Sequence, residues 1–441
     1  MARTAAGLPA GTRRTDHISL GVLTAQFPLE TVEQLLFETE RVSQRERDLP
    51  AHVMVYYAIA LALYADVSTR EVLRCLLEGM RWLGEPGTVA EPAGPSGISQ
   101  ARTRLGAAPV EALYRAVVQP VARRDTPGAW YRDWRVMSLD GTTLDVADTA
   151  ANRQAFGRPA SARGVNAHGA FPQLRLVGLV ETGTHVLCGA QLGAYGTGEV
   201  TLAAAVVPTL TPEMLCLADR GFVGFDLWQQ AAATGAALLW RVKGTVVLPV
   251  EARYADGSYR SAVQWNSHCR SADRTPISVR VIEYALPGVP DADACYRLIT
   301  SILDPAEAPA SELAALYHER WEIETTFDEF KTHLRGAQRV LRSKTPELVR
   351  QEAWGFLLAH FAIRALMHEA ALGARPYARD PDTLSFTHAL RVTRRTLPHL
   401  AAIPPSGSPA LASGDPARVA HRDRSLQPRA RRPARRQTQD E

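Results

Sequence analysis

Residues 317–331 read Tyr317-His-Glu-Arg320-Trp-Glu-Ile-Glu324-Thr-Thr-Phe-Asp-Glu-Phe-Lys331 and have the spacing of an amphipathic helix. At about 100° per residue, four polar side chains fall within an arc of about 60°. These are Tyr317, Arg320, Glu324 and Lys331. The adjoining apolar stripe consists of Leu316, Ile323, Phe327, Phe330 and Leu334. We therefore expect the helix to pack by its apolar stripe and to present one carboxylate flanked by Arg, Lys and Tyr.

The lysine in this pattern is unusual for the chain. Lys and Arg together number 50, and only three of them are lysines. One of the three is Lys331. A salt-bridged surface face gives a similar arrangement of charges, so the pattern alone leaves that alternative open.

Asp140 and Asp219 are two further candidate site residues. Each follows an apolar segment predicted to be a β-strand (136–139 and 214–218), and each precedes a turn that contains Gly. The carboxyl ends of neighbouring strands in an α/β sheet open onto one crevice. Two carboxylates there offer the oxygen ligands that Mg²⁺ prefers. Either aspartate taken alone is equally well interpreted as a helix cap or a turn residue.

Three carboxylates next to Arg and Lys indicate phosphoryl transfer. Two Mg²⁺ ions about 3.5–4 Å apart can activate a water or a 3′-hydroxyl and stabilise the leaving oxygen. Arg320 and Lys331 would bind the flanking phosphates, Arg320 in a bidentate manner and Lys331 as a point charge. Asp328 lies on the same side of the predicted helix and is a rival ligand.

Composition and periodicity divide the chain into six segments. The predicted segments are a disordered N-terminus, 1–18; a helical region, 19–110; the first part of an α/β region, 111–243; a β-rich insertion, 244–306; a second, helical part of the α/β region, 307–375; and a C-terminal segment with a disordered Arg-rich tail, 376–441. Helices with arginines suit DNA binding, but they suit any small helical bundle as well. The charge of the tail can hold nucleic acid electrostatically.

The overall composition excludes several classes of protein. Of 441 residues, 46% are hydrophobic and 22% charged, which excludes wholesale disorder. The longest strongly apolar stretch is too short for a membrane span, and no secretory signal peptide is visible, so we expect a soluble cytoplasmic protein. Five scattered cysteines without a CxxC pair argue against structural zinc. A net charge of +4 permits a nucleic-acid partner.

Three motifs together resemble the DDE transposases of the insertion-sequence-four family. They are Asp140-Gly-Thr, Leu217-Ala-Asp219-Arg-Gly-Phe222, and Tyr-x2-Arg-x3-Glu-x6-Lys over residues 317–331. The similarity extends from about residue 18 to 370 and includes the helical N-terminal region and the β-rich segment.

The resemblance implies a fold and an activity. The fold is a multidomain α/β one. A small helical DNA-binding domain (19–110) precedes a ribonuclease-H-like catalytic core (111–243 and 307–375) of a mixed sheet and flanking helices, which is interrupted by an all-β insertion (244–306). Asp140, Asp219 and Glu324 are the implied catalytic triad, holding two Mg²⁺ ions for which Mn²⁺ can substitute. The implied reaction is cut-and-paste transposition: cleavage at terminal inverted repeats through a hairpin, then strand transfer into target DNA.

The resemblance also implies contacts with DNA. Tyr317, Arg320 and Lys331 would contact phosphates near the scissile bond, and Trp321 would accommodate a flipped base. Packing is the competing interpretation of Trp321, and Trp265 is a weaker candidate for a similar wedge. The implied working state is a homodimer on DNA, associated with the nucleoid of a prokaryotic cell.

Two other functions remain open on the sequence. A catalytically silent DNA-binding descendant would keep the fold and occupy the terminal repeats, although such a protein is free to lose its carboxylates. A two-carboxylate hydrolase such as a glycosidase needs no Arg and Lys on the same helix.

Overall fold

The computed structural model describes most of the chain. The described residues are 20–44, 49–65, 67–80, 93–159, 171–264, 275–286, 293, 295–336, 340–373 and 380–395. The predicted disordered N-terminus 1–18, the Arg-rich tail and Trp265 lie outside them.

The N-terminal region is helical, as predicted. Its helices are α1 Leu20–Gln26, α2 Leu29–Glu38, α3 Ala51–Leu63, α4 Thr69–Met80, α5 Pro95–Leu105 and α6 Ala108–Val117. Helix α3 begins directly after Pro50, because a proline disrupts a helix that would continue on its N-terminal side. The residues of α3 from Val53 onward are buried on every side. A helix that is apolar all round must lie in the centre of a bundle.

Ten strands form a single mixed sheet. They are β1 Trp130–Tyr131, β2 Trp134–Asp145, β3 Gln173–Glu181, β4 Val186–Ala194, β5 Met214–Ala218, β6 Ala237–Arg241, β7 Ala252–Arg253, β8 Tyr259–Val263, β9 Ile277–Tyr284 and β10 Tyr296–Thr300. The order is β4-β3-β2-β5-β6-β10-β9-β8-β7, with β1 paired to β2. Strands β4, β3 and β2 are antiparallel, whereas β2, β5 and β6 are parallel. The ribonuclease-H-like mixed sheet is thereby confirmed.

The segment predicted as an all-β insertion does form strands. Strand β10 pairs antiparallel with β6, and β9, β8 and β7 follow in turn. These four strands therefore extend the central sheet and do not form a separate one. The domain boundaries assigned to the segment remain predictions.

Helices cover both faces of the sheet. The later helices are α7 Ala150–Phe156, α8 Glu199–Val206, α9 Phe225–Ala232, α10 Ala310–Tyr317, α11 Glu322–Asp328, α12 Pro346–Gly373 and α13 Phe386–Arg395. Helices α8 and α9 pack on one face through Leu202 and Trp228. On the other face, α11 and α12 share one continuous core with strand residues and with the N-terminal helices. The site described below lies on this second face.

Helix α12 is long but does not have the composition of a membrane helix. Among the described helices, none combines the length and the apolar character that crossing a bilayer requires.

Close packing of α3 against α12 predicts that the substitution Gly355→Ala is destabilising. A Cβ atom at Gly355 would lie well inside 3.0 Å of the Ala58 carbonyl oxygen, which is backbone and cannot turn away. Overpacking of this kind costs about 1–3 kcal/mol, so the thermal unfolding temperature should fall. Gly373 is the matched control, because a Cβ there meets nothing within 4 Å. Equal unfolding temperatures for G355A and G373A would contradict the packing described here.

Candidate active site

Asp140 and Asp219 lie side by side on neighbouring parallel strands. Leu139 of β2 is paired with Ala218 of β5, and each aspartate follows one member of this pair, Asp140 within β2 and Asp219 just beyond the end of β5. Adjacent strands are about 4.8 Å apart, which brings the two carboxyl groups to one place on the sheet. Asp219 directly follows the last residue of β5, as predicted.

The prediction that the first strand ends at Asp140 is wrong. Strand β2 continues to Asp145, and Asp140 lies in its middle, opposite Gly178 of β3. Pairing with β3 keeps the chain extended beyond the point where β5 ends. Gly141 is therefore part of the strand and not of a turn.

Gly141 makes room for Glu199, a carboxylate that the sequence analysis did not identify. A Cβ atom at Gly141 would lie 2.8 Å from the Glu199 carboxylate oxygen Oε1. Glu199 comes from the first turn of α8 and also lies 3.8 Å from the Arg175 guanidinium. A glycine inside a strand often marks such a close approach, and this was the available signal.

The segment that carries Glu324 is helical throughout but is not one regular α-helix. After α10 it forms a 3₁₀ turn at His318–Trp321, then α11, then a π-helical turn at Glu329–Leu334. We call the whole of Ala310–Leu334 the active-site helix. Its apolar stripe is buried, as predicted, through Leu316, Ile323, Phe327, Phe330 and Leu334.

Arg320 connects the active-site helix to the sheet. Its Nη1 donates a hydrogen bond to Asp140 Oδ2 at 3.2 Å, and its Nη2 lies 3.6 Å from Glu324 Oε1. Burial alone would lower the pKa of Arg320, but Tyr317, Asp140, Asp219 and Glu324 outweigh burial and raise it. One guanidinium therefore lies within the field of all three predicted acidic residues.

The pKa of Asp140 is raised from 3.8 to about 6. Burial is the largest cause, and the nearby carboxylates of Asp219 and Glu199 raise it further. The Gly141 N–H and Arg320 act in the opposite direction. The site thus brings several carboxylates close together, and its donors are carboxylate oxygens. Both features fit a hard divalent cation such as Mg²⁺.

Asp140, Asp219 and Glu324 do not form a compact group of ligand atoms. In the described part of the chain, the three side chains whose metal-ligating atoms all lie within 4.8 Å of one another are His185, Glu322 and Asp382. The Arg320 guanidinium, which contacts both Asp140 and Glu324, lies between these two carboxylates.

Two further predicted site residues, Tyr317 and Lys331, form hydrogen bonds to strands of the sheet. Tyr317 is buried, and its hydroxyl donates to the Ala218 carbonyl at 3.3 Å, so its observed contact is with the strand that leads to Asp219. Lys331 Nζ donates to Thr142 Oγ1 at 2.9 Å, and burial, then Arg335, lowers the pKa of Lys331.

The side chains of Glu324 and Trp321 are exposed to solvent. The side chain of Glu324 is 51% exposed, and Trp321 is 46% exposed with its ring centroid 5.7 Å from the Arg320 guanidinium. Asp328, the predicted rival ligand, accepts a hydrogen bond from Thr332 Oγ1 at 2.6 Å.

Two stretches of the chain match known protein families. Residues 17–115 match the family described as insertion element 4 transposase N-terminal, and residues 132–362 match the transposase DDE domain. The transposase InsG for insertion sequence element IS4 of Escherichia coli (strain K12) is 28% identical over 386 residues, covering 87% of this chain and 84% of the relative. The putative transposase InsZ of the same organism is 28% identical over 211 residues, covering 47% of this chain and 66% of the relative.

A solved structure is also similar in outline. The cryo-EM structure of the piggyBac transposase synaptic complex with hairpin DNA has a TM-score of 0.43 and 10% identity, covering 87% of this chain and 82% of that chain. A similarity at this TM-score and identity does not establish a shared fold or function. The match to the DDE domain, in contrast, spans more than half of the chain and includes every residue of the site above. This chain therefore belongs to the DDE transposases of the insertion element 4 family.

Proposed function

We propose that this protein is the transposase of an insertion sequence and that Asp140, Asp219 and Glu324 are its catalytic carboxylates. A DDE transposase cleaves DNA and transfers strands. The observation that carries the residue assignment is the position of Arg320. It contacts Asp140 and Glu324 from a helix that is remote in sequence from β2, beside the strand end that carries Asp219.

Asp140, Asp219 and Glu324 would hold two Mg²⁺ ions, for which Mn²⁺ can substitute. The ions would supply activation of the attacking oxygen and charge stabilisation at the phosphorus. The carboxylates of Asp219 and Glu199 beside Asp140 support this assignment, since hard cations take oxygen ligands.

Arg320 and Lys331 would bind the phosphates on either side of the scissile bond. Both cations are held by the protein, Arg320 by Asp140 and Lys331 by Thr142, so little side-chain freedom is lost when DNA binds. Tyr317 orients the end of β5 through the Ala218 carbonyl. Tyr317 would contact a phosphate directly only after its buried hydroxyl has broken its hydrogen bond to the Ala218 carbonyl.

Trp321 is available to stack on a base. Its ring is half exposed next to the site, and its Arg320 neighbour adds a positive charge above the ring. This position supports a route in which cleavage passes through a hairpin with one base turned out of the stack.

The substrates would be the terminal inverted repeats and the target DNA, and the active form a homodimer bound to two DNA ends in the cytoplasm. The helical N-terminal region supports recognition of the repeats through its match to the transposase N-terminal family. The alternative is a catalytically silent derivative that only binds the repeats. The intact set of carboxylates and cations favours the enzyme.

The substitution Asp219→Asn should abolish DNA cleavage and leave DNA binding intact. It removes one ion-binding charge but keeps the shape of the side chain. The measurement is Mg²⁺-dependent cleavage of DNA carrying the inverted repeats that flank the gene, with binding followed in parallel by fluorescence anisotropy. Asp133→Asn, at a highly exposed aspartate, is the matched control and should cleave normally. A wild-type protein that binds but never cleaves would favour the silent derivative, and binding insensitive to salt would contradict both DNA functions.

The substitution Asp140→Asn should stabilise the metal-free protein at neutral pH. The folded-state pKa of Asp140 is raised to about 6 from 3.8, so the unfolded chain releases this proton first as pH rises. As the pH rises from 3.8 to about 6, the free energy of unfolding of the wild type therefore falls relative to that of D140N. At pH 7 the difference is about 2–3 kcal/mol.

Thermal unfolding with and without Mg²⁺ measures this difference. Mg²⁺ should raise the unfolding temperature of the wild type and not that of D140N, since only the wild type keeps the full ligand set. If D140N is no more stable than the wild type at pH 7, or if both respond equally to Mg²⁺, the assignment of Asp140 is wrong.

The substitution Trp321→Ala should impair the hairpin step without affecting folding. Stacking on an aromatic ring is worth about 1–3 kcal/mol per base, so the yield of hairpin and later products should fall about tenfold or more while the first nick persists. Quantifying nicked, hairpin and double-strand-cut products on denaturing gels measures the effect. Trp321→Phe keeps a stacking surface and should restore most of the activity. Identical product ratios for W321A and the wild type would exclude this role.

A further inference from the structure

A second set of charges lies beneath the active-site helix, on the side away from Glu324. Glu329 belongs to this helix, five residues after Glu324 and two before Lys331, and its side chain is only 9% exposed. Arg364 of α12 and His185, in the turn between β3 and β4, are each 2% exposed. We call Glu329, Arg364 and His185 the Glu329 network. Ionised groups are rarely buried this deeply unless they are paired.

Glu329 is held firmly within this network. Its Oε2 accepts a hydrogen bond from Arg364 Nε at 2.9 Å and lies 3.8 Å from His185 Nδ1. His360, also fully buried, has its Nε2 3.8 Å from the same oxygen. Burial alone would raise the pKa of Glu329, but Arg364 and the two histidines hold the pKa well below its usual value. The carboxylate is therefore ionised inside the protein.

His185 connects the active-site helix to the sheet at two points. Its Nδ1 contacts Arg364, the partner of Glu329. Its Nε2 forms a hydrogen bond with Glu322 Oε2 at 2.9 Å. Glu322 and Glu329 are seven residues apart and so lie on one side of the helix, two turns from each other. His185 itself adopts φ +58°, a conformation that costs energy for a non-glycine residue and indicates a tightly specified position.

Apolar contacts alone do not define the rotation of a helix sharply. Ile323, Phe327 and Phe330 are buried on this side, but volume-conserving rearrangements of such side chains cost little. Hydrogen-bonded ion pairs, in contrast, are directional, and fixing one geometry is the best-supported use of buried charges. The π-helical turn begins at Glu329 itself, and such turns are frequent at functional sites.

We propose that the Glu329 network fixes the rotation of the active-site helix and so places Glu324 beside Arg320 and Lys331 against Thr142 of β2. Glu329, Arg364 and His185 are positioning residues, because none of them contacts the three carboxylates of the site. The inference rests on the proposed function, in that the geometry it maintains is that of DNA cleavage.

The test replaces the buried ion pair by apolar side chains in the double variant E329M/R364M. Such replacements are often neutral or stabilising, so the unfolding temperature should not fall. Cleavage should nevertheless slow by about 100-fold in single-turnover experiments, as expected from a displacement of about 1 Å at the site. The Mg²⁺ concentration for half-maximal cleavage should rise, while DNA affinity stays unchanged. The double variant E251M/R260M, which removes an exposed ion pair beside β7 and β8, is the matched control and should cleave at the wild-type rate.

Hydrogen exchange provides a readout that does not depend on activity. Amides of residues 322–334 should exchange faster in E329M/R364M than in the wild type, and those of β2 and β5 should not change. If the double variant does not fold, the near-isosteric variant E329Q is measured in the same way and should show the same changes. Unchanged exchange at 322–334, or cleavage at the wild-type rate, would overturn the inference. A wild-type protein that binds DNA without cleaving it would overturn the proposed function, and the exchange data would still decide the positioning role.

Discussion

The parallel pairing of β2 with β5 is the constraint on which the site depends. It sets Asp140 and Asp219 at the same level of the sheet, although 78 residues of chain separate them. Like charges in that position repel, and a low-dielectric surrounding strengthens the repulsion. Burial is the main cause of the raised pKa of Asp140, and the repulsion from Asp219 adds to it. Asp140 cannot move away from Asp219, because the antiparallel pairing of β2 with β3 holds it in place from the other side.

Cations of the protein compensate part of this charge, and they do so from one helix. Arg320 reaches Asp140 and Glu324, and Lys331 reaches Thr142 on the same strand. These contacts hold the positive groups at fixed positions, which is the arrangement that stabilises charge developing on a phosphate. The active-site helix therefore has to lie at a defined distance from the sheet and at a defined rotation about its own axis. Its apolar stripe sets its distance from the sheet, and the buried charges at Glu329 supply directional contacts.

Local sequence patterns predicted the features that depend on local physics. The buried stripe of the active-site helix follows from helical periodicity, and the strand before Asp219 follows from its run of apolar residues. Features that depend on distant partners were not predictable in this way. The length of β2 is set by β3, the continuity of the sheet by pairing of β10 with β6, and the environment of Glu329 by His185 and Arg364. Nothing near Glu329 in the sequence marks it as buried, because its partners come from a turn and a helix elsewhere.

Helix α12 packs against the active-site helix on one side and against α3 on another, within one continuous core. A chain cut after the N-terminal helices would leave a long apolar surface of α12 in water, which is unfavourable by the free energy of exposing that area. The N-terminal helices therefore belong to the same folding unit as α12 and the sheet. A substitution within them has to keep this shared interior filled.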